Sequence, residues 1–158
     1  MILQMIKINV TKIQLFIHNK DKSEMTDNTK KILTLLKKAQ KLAYAPYSKF
    51  YVSACILAND NNYYIGCNIE NAAYPVGCCA EASAISAMIM GGAKIIKEIS
   101  VLGSGNLLCS PCGACRQKIR EFATESTLIH MYKNNRLEKT MTINELLPES
   151  FGPNNLKF

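Results

Sequence analysis

From Ala82 to Ala93 the chain carries no charged side chain, and the stretch closes on Gly91-Gly92, a helix-terminating pair. A helix that is apolar on every side must be buried on every side. A domain of this length covers one such face with its own sheet, so the other face calls for a neighbouring helix or another subunit. This one segment therefore demands a layered fold.

The surrounding pattern supplies the layers. From Asp27, read as an N-cap, the residues Ile32, Leu35, Leu36, Ala39, Leu42 and Ala43 recur at helical spacing, predicting an amphipathic helix that ends near Ala45-Pro46. Residues 51–58 and 63–67 are rich in β-branched and aromatic side chains and flank Asn59-Asp60-Asn61-Asn62, which reads as a hairpin. A strand over 99–102, a helix over 112–123, a strand over 128–132, a strand or turn over 139–143 and a short helix over 144–147 follow. Strands alternating with helices predict an α/β domain with a mixed sheet. We read residues 26–158 as a single domain and residues 1–25 as an N-terminal extension, either disordered or an added strand.

With 158 residues, 48% of them hydrophobic, the chain can build a core without disulfide staples. The cysteine count of seven is odd, and adjacent Cys78 and Cys79 suit a disulfide framework poorly, so a reducing, cytoplasmic setting is expected. No apolar run approaches the roughly 18 residues of a membrane span, and the first residues do not follow the signal-peptide pattern. The formal charge of +7 suggests nucleic acid until it is located: residues 1–41 hold nine lysines against three acids, leaving +1 for the remainder. The lysines of the first helix read as a solvated outer face.

Chemistry concentrates in Cys79-Ala80-Glu81 and Pro111-Cys112-Gly113-Ala114-Cys115. A lone Cys-x-x-Cys is compatible with redox work, structural zinc or coincidence. Here Cys112 and Cys115 fall at the start of one predicted helix and Cys79 at the start of another, so two positive helix ends can converge on one metal. Three cysteines leave one tetrahedral position open, the mark of a catalytic rather than a structural zinc site. Glu81 then stands where a carboxylate can move protons, as in zinc deaminases with three-cysteine sites. Two alternatives remain at this point. A non-catalytic zinc module requires a fourth spaced ligand and basic residues near the site, and a thiol redox protein leaves Cys79 and Glu81 without a task.

Four segments in order, "APYSKF" (45–50), "GCNIENAAYPVGCCAE" (66–81), "SPCGACRQ" (110–117) and "ELLPESFGP" (145–153), resemble the small homotetrameric cytidine deaminases. The resemblance implies a three-layer α/β/α sandwich around a mixed five-stranded sheet. It further implies one zinc per subunit on Cys79, Cys112 and Cys115, with Glu81 as proton shuttle. Asn68 and Glu70 match positions that hold the ribose hydroxyls, Phe50 an aromatic beside the base, and Ala80 a backbone group at the pyrimidine edge. Tyr74 and Phe151 match positions that reach a neighbouring subunit's active site, which implies a homotetramer with shared sites. The implied reaction is hydrolytic deamination of cytidine and 2′-deoxycytidine in pyrimidine salvage, with a free nucleoside as partner and neither nucleic acid nor membrane. An assembled zinc-thiolate group brings residues 42–158 to about zero charge, which suits an uncharged substrate.

One departure stands out. Close relatives commonly carry Arg directly after the Glu, where it donates to the cysteine sulfurs; this chain has Ala82. Helix dipoles, or Arg116 swinging in, are then expected to take over part of that task. Cys55, Cys67, Cys78 and Cys109 read as small buried hydrophobes, and Met88 and Met90 as core filling. Neither His18 nor His130 is expected to bind the metal.

Overall fold

In the computed structural model, which describes residues 26–156, Thr26 rather than Asp27 caps the first helix, α1 (Asp27–Gln40). Its Oγ1 accepts from the Thr29 amide at 3.3 Å, which places Asp27 in the first turn, where a carboxylate favours the positive helix end. The helix stops at Gln40, whose Nε2 donates to the Tyr51 and Leu102 carbonyls at 3.1 and 3.4 Å. Leu42, expected on the buried stripe, lies beyond this end and is exposed. The expected extension, residues 1–25 with His18, lies outside the described residues.

Strands β1 (Val52–Ala58) and β2 (Tyr63–Cys67) form the expected hairpin. Asn61 takes a positive φ of 65° in the turn, a conformation that asparagine tolerates. Helix α2 (Ala80–Met90) leads to β3 (Ile96–Gly103), and α3 (Gly113–Phe122) to β4 (Ala123–Lys133). β5 (Arg136–Thr142) and the short helix α4 (Ile143–Leu146) follow. The sheet order is β2-β1-β3-β4-β5, with β3 and β4 parallel and every other neighbouring pair antiparallel. This is the mixed five-stranded sheet with flanking helices.

Besides the early end of α1, three strands start before the sequence reading has them: β3 at Ile96 rather than Ile99, β4 at Ala123 and β5 at Arg136. β4 starts five residues earlier because residues 124–127 form an irregular stretch in which Thr127 Oγ1 donates to the Ile96 carbonyl and accepts the Thr124 amide. β5 starts at Arg136 because Asn134 and Asn135 both adopt positive φ, 47° and 63°, the geometry of a tight hairpin turn.

The core has two parts, one on each side of the sheet. Ile32, Leu33 and Leu36 of α1 pack with Cys55, Leu102 and Tyr132. On the other side Ala80, Ala84, Ile85 and Met88 of α2 and Ile119 of α3 pack with Ala54, Ile56, Ile99, Val101, Ile129 and Met131. Met88 is fully buried, whereas Met90, expected to fill the core, is 88% exposed. Ile89 is also exposed, so within one chain the apolar helix α2 covers only one of its faces. No helix among the described residues is long and apolar enough to cross a membrane.

Candidate active site

Both helices that begin with a cysteine begin at the same place. Cys79 is the N-cap of α2 and Cys112 the N-cap of α3, each in extended backbone and each without a side-chain cap bond, so both sulfurs remain available beside free helical N–H groups. Cys115, one turn into α3, is buried. The three Sγ atoms lie within 4.8 Å of one another, and among the described residues no fourth His, Cys, Asp or Glu joins them.

Two local features bring α2 to this point. Ile69 and Cys78 exchange backbone hydrogen bonds at 2.8 Å in both directions, which pins the entry to α2 against the segment after β2. Gly66 in β2 lets the helix approach: a methyl group there would meet the Ala80 carbonyl at 2.5 Å and the Ser83 backbone at 2.8 Å. Only glycine fits so near a neighbouring backbone. The same pinning leaves Cys78 beside Ser83 Oγ at 3.5 Å and outside the cysteine group; Cys67, Cys78 and Cys109 are half-buried rather than fully buried like Cys55.

Glu81 is buried, 4% exposed, in the first turn of α2, near enough for its charge to act on the Cys115 thiol. Burial first, and then the Glu81 carboxylate, hold the Cys115 thiol far above the usual range. Burial also raises Cys79. Cys112 moves the other way: burial opposes its ionisation, but the Cys115 backbone N–H and the neighbouring thiols outweigh it. Cys109 is pushed up to about 11 by burial, then by Glu81. Metal binding at these thiols is therefore coupled to proton release, from Cys79 and Cys115 above all.

A cleft of about 400 Å³ reaches the group at Cys79 and is lined further by Tyr47, Ser48, Asn68, Glu70 and Tyr74, among others; Glu81, Cys112 and Cys115 are not in its lining. Glu70 Oε2 accepts the Tyr47 and Ser48 amides at 2.9 and 3.2 Å, and its Oε1 accepts the Ser48 hydroxyl, which together hold its pKa below the usual carboxylate value. Asn68 is engaged at both ends: Oδ1 accepts the Val52 amide at 2.8 Å and Nδ2 donates to the Phe50 carbonyl at 2.9 Å. Phe50 lies against Gly103 and Gly105, where a methyl group would come within 3.0 and 2.8 Å of its ring. Ala80 is fully buried between Cys79 and Glu81. Tyr74 sits at the exposed rim, its ring 6.0 Å from that of Tyr47. Phe151 lies apart, on the segment that runs along α3. Ser48, within the "APYSKF" segment, had no assigned role, yet it is what organises Glu70.

Residues 26–131 match the model of the cytidine and deoxycytidylate deaminase zinc-binding region. The chain belongs to that family. It is 39% identical over 132 residues to a cytidine deaminase of Sporosarcina psychrophila, covering 83% of this chain and 96% of the relative. A cytidine deaminase of Mycoplasma genitalium is 38% identical over 128 residues, 80% of this chain and 98% of the relative. The crystal structure of cytidine deaminase from Burkholderia pseudomallei superposes with a TM-score of 0.73 at 32% identity, over 80% of this chain and all of that one.

The donor set fits the family's metal. Zinc takes thiolates in a tetrahedron, and Cys79, Cys112 and Cys115 supply three corners while leaving a fourth open. The family's single zinc per chain would be held by this group, whose three thiols are placed for a metal ion. The expectation that Arg116 swings toward the sulfurs is corrected. Its Nε donates to the Pro111 carbonyl at 2.8 Å, Nη1 to the Leu146 carbonyl at 2.9 Å and Nη2 to Ser110 Oγ at 3.2 Å, so the guanidinium is held on oxygen acceptors. With Ala82 after Glu81, the N–H groups of the two helix starts remain as the donors nearest the sulfurs.

Proposed function

We propose that this member of the family hydrolyses cytidine and 2′-deoxycytidine to uridine and 2′-deoxyuridine with release of ammonia, as a step of pyrimidine salvage. One observation carries the reading: a buried carboxylate, Glu81, beside an open three-thiol group that faces a cleft holding an amide and a carboxylate. Zinc bound to Cys79, Cys112 and Cys115 supplies a Lewis acid that makes water a nucleophile near neutral pH. Glu81 accepts the proton of the attacking water and gives it to the ring nitrogen beside the amino-bearing carbon. The same carboxyl then takes the second proton of that water, from the hydroxyl now on the ring carbon, and delivers it to the departing amino group, so water enters, ammonia leaves and Glu81 is regenerated.

Asn68 and Glu70 are suited to the ribose hydroxyls, because a site built on paired polar groups rejects an analogue that leaves them unpaired. Asn68 also holds the Phe50 backbone, which keeps that ring in place for the base. The Ala80 backbone reads the pyrimidine edge. Tyr74 and Phe151, both exposed in one chain, are proposed to pack on substrate in the site of a neighbouring subunit. A homotetramer is supported by the bare apolar face of α2 at Ile89 and Met90 and by the exposed Val76. Residues 26–158 form the catalytic domain, and seven free thiols support a reducing, cytoplasmic setting.

The deciding experiment presents the zinc-loaded protein with cytidine, deoxycytidine, cytosine and a cytidine nucleotide, following ultraviolet absorbance and ammonia. The two nucleosides should lose the cytosine chromophore with matching ammonia release, while the base and the nucleotide react poorly. Absence of turnover with either nucleoside overturns the reading.

A further inference from the structure

Helix α3 carries two zinc ligands at its start, and three of its following side chains reach in another direction. Arg116 spans the Pro111 carbonyl, Ser110 Oγ and the Leu146 carbonyl, linking the loop that delivers Cys112 to the end of α4. Gln117 Nε2 donates to the Phe151 carbonyl at 2.9 Å. One turn on, Arg120 Nε donates to Ser150 Oγ at 2.9 Å. Gly152 is buried where a methyl group would come within 3.1 Å of the Arg120 guanidinium, so the chain runs in contact with it. Beyond this point the chain closes on itself: the Gly152 amide donates to Asn155 Oδ1 at 2.8 Å and the Asn155 amide to the Gly152 carbonyl at 2.9 Å.

This anchoring is unlike that of the rest of the fold. None of residues 147–151 is fully buried, so the segment is positioned largely by long polar side chains of one helix. Its backbone is tied while the Phe151 ring remains 58% exposed, an aromatic presented outward from a fixed base. A planar guanidinium with three acceptors in fixed directions transmits position, where a flexible ammonium would not.

We propose that Arg116, with Gln117 and Arg120, is a positioning clamp that joins the Cys112 and Cys115 ligand pair and the Phe151 segment into one unit, so that zinc binding and ordering of that segment favour each other. The coupling is reciprocal by linkage: whatever zinc contributes to the segment's order, that order contributes to zinc binding. The clamp rests on the deaminase reading only for Phe151's contact with substrate.

The test pairs hydrogen exchange over residues 147–156 with the rate of zinc transfer to a colorimetric chelator. Stripping zinc from the wild-type protein should speed exchange in this segment about fivefold, the effect of losing one net hydrogen bond. Arg116→Lys keeps the charge but loses the fork; it should speed zinc release about tenfold, as loss of an outer partner of a metal ligand does. It should also speed exchange over 147–156 in the zinc-loaded protein. Gln117→Ala, at an exposed position, should speed exchange at 150–152 and raise KM for cytidine more than it lowers kcat. Equal exchange with and without zinc in the wild type overturns the clamp, and that comparison needs no variant to fold. So does an Arg116→Lys protein that changes zinc release or exchange but not both. Failure of the wild type to deaminate cytidine removes Phe151's substrate contact and the KM expectation, and leaves the exchange and zinc-release results to decide the clamp.

Discussion

On one face of the sheet α1 lays Ile32, Leu33 and Leu36 onto Cys55, Leu102 and Tyr132; on the other, α2 meets β2 through Ala80, Ala84 and Gly66. Large branched side chains hold the first helix off the sheet and bury much apolar area per residue. Where α2 crosses β2, the small residues let backbone approach backbone, while Ile85 and Met88 of the same helix bury their apolar area in the larger core cluster. The difference is functional. The close approach sets the start of α2, with Cys79 and Glu81, beside the start of α3, with Cys112 and Cys115. The α1 face stabilises, and the α2 face both stabilises and positions.

Substitutions that separate the two faces should separate stability from chemistry. The largest expected effect is at Glu81: Glu81→Ala should keep zinc, measured by metal content, and lose turnover by about 10²- to 10⁴-fold, the usual contribution of a positioned acid–base group. Near-normal ammonia release from that variant would remove Glu81 from the reaction. Leu36→Ala, a fully buried truncation on the opposite face, should cost roughly 2–5 kcal/mol in urea unfolding. Its kcat should stay near the wild-type value, and a matching loss of kcat would mean that the α1 face also positions the site.

Gly66→Ala is expected to do the reverse. It forces a methyl group into the α2 backbone, costing about 1–3 kcal/mol, and should lower kcat and speed zinc loss out of proportion to that cost. A variant that is destabilised but kinetically normal would show that α2 can retreat without moving Cys79. The smallest effect concerns pH on the α1 face. Burial pushes the Cys55 thiol from 9.0 up to about 12, so its contribution is fully present below pH 9.0 and is lost as pH rises toward about 12. Zinc-loaded wild type should therefore lose more stability between about pH 8 and about pH 10 than Cys55→Ala does, and equal losses would mean that Cys55 ionises freely.

Much of the site was legible because it is written locally. Cys112 and Cys115, at a helix start and three residues later, face the same way wherever the helix is placed, so that pair could be grouped from spacing alone, and Cys79 joined it through a second helix start and the family resemblance. The hairpin at 59–62 was legible for the same reason, since its turn chemistry lies within four residues. Boundaries were lost where a local signal was passed over or a distant partner intervened. Asn134-Asn135 announces a turn that starts β5 early, and the Thr127 bond to Ile96 extends β4 in a way that no local pattern encodes. Leu42 was placed by periodicity, which cannot say where a helix stops, and Met90 by its apolar character, which cannot say which face of a helix the same chain covers.

Arg116 marks the same divide inside the site. Its position one residue after Cys115 suggested a donor to sulfur, and its oxygen acceptors at Pro111, Ser110 and Leu146 come from a loop and a helix end that only the fold brings within reach. The sequence by itself determined the Cys112–Cys115 pair, the carboxylate two residues after Cys79 and the two helix starts, because each depends on spacing along a single element. The tertiary structure decided how closely α2 lies on β2, what Asn68, Glu70 and Arg116 bind, and where Phe151 is held. Those outcomes depend on which donors and acceptors meet across the fold, and a long polar side chain takes the partners that packing puts within its reach.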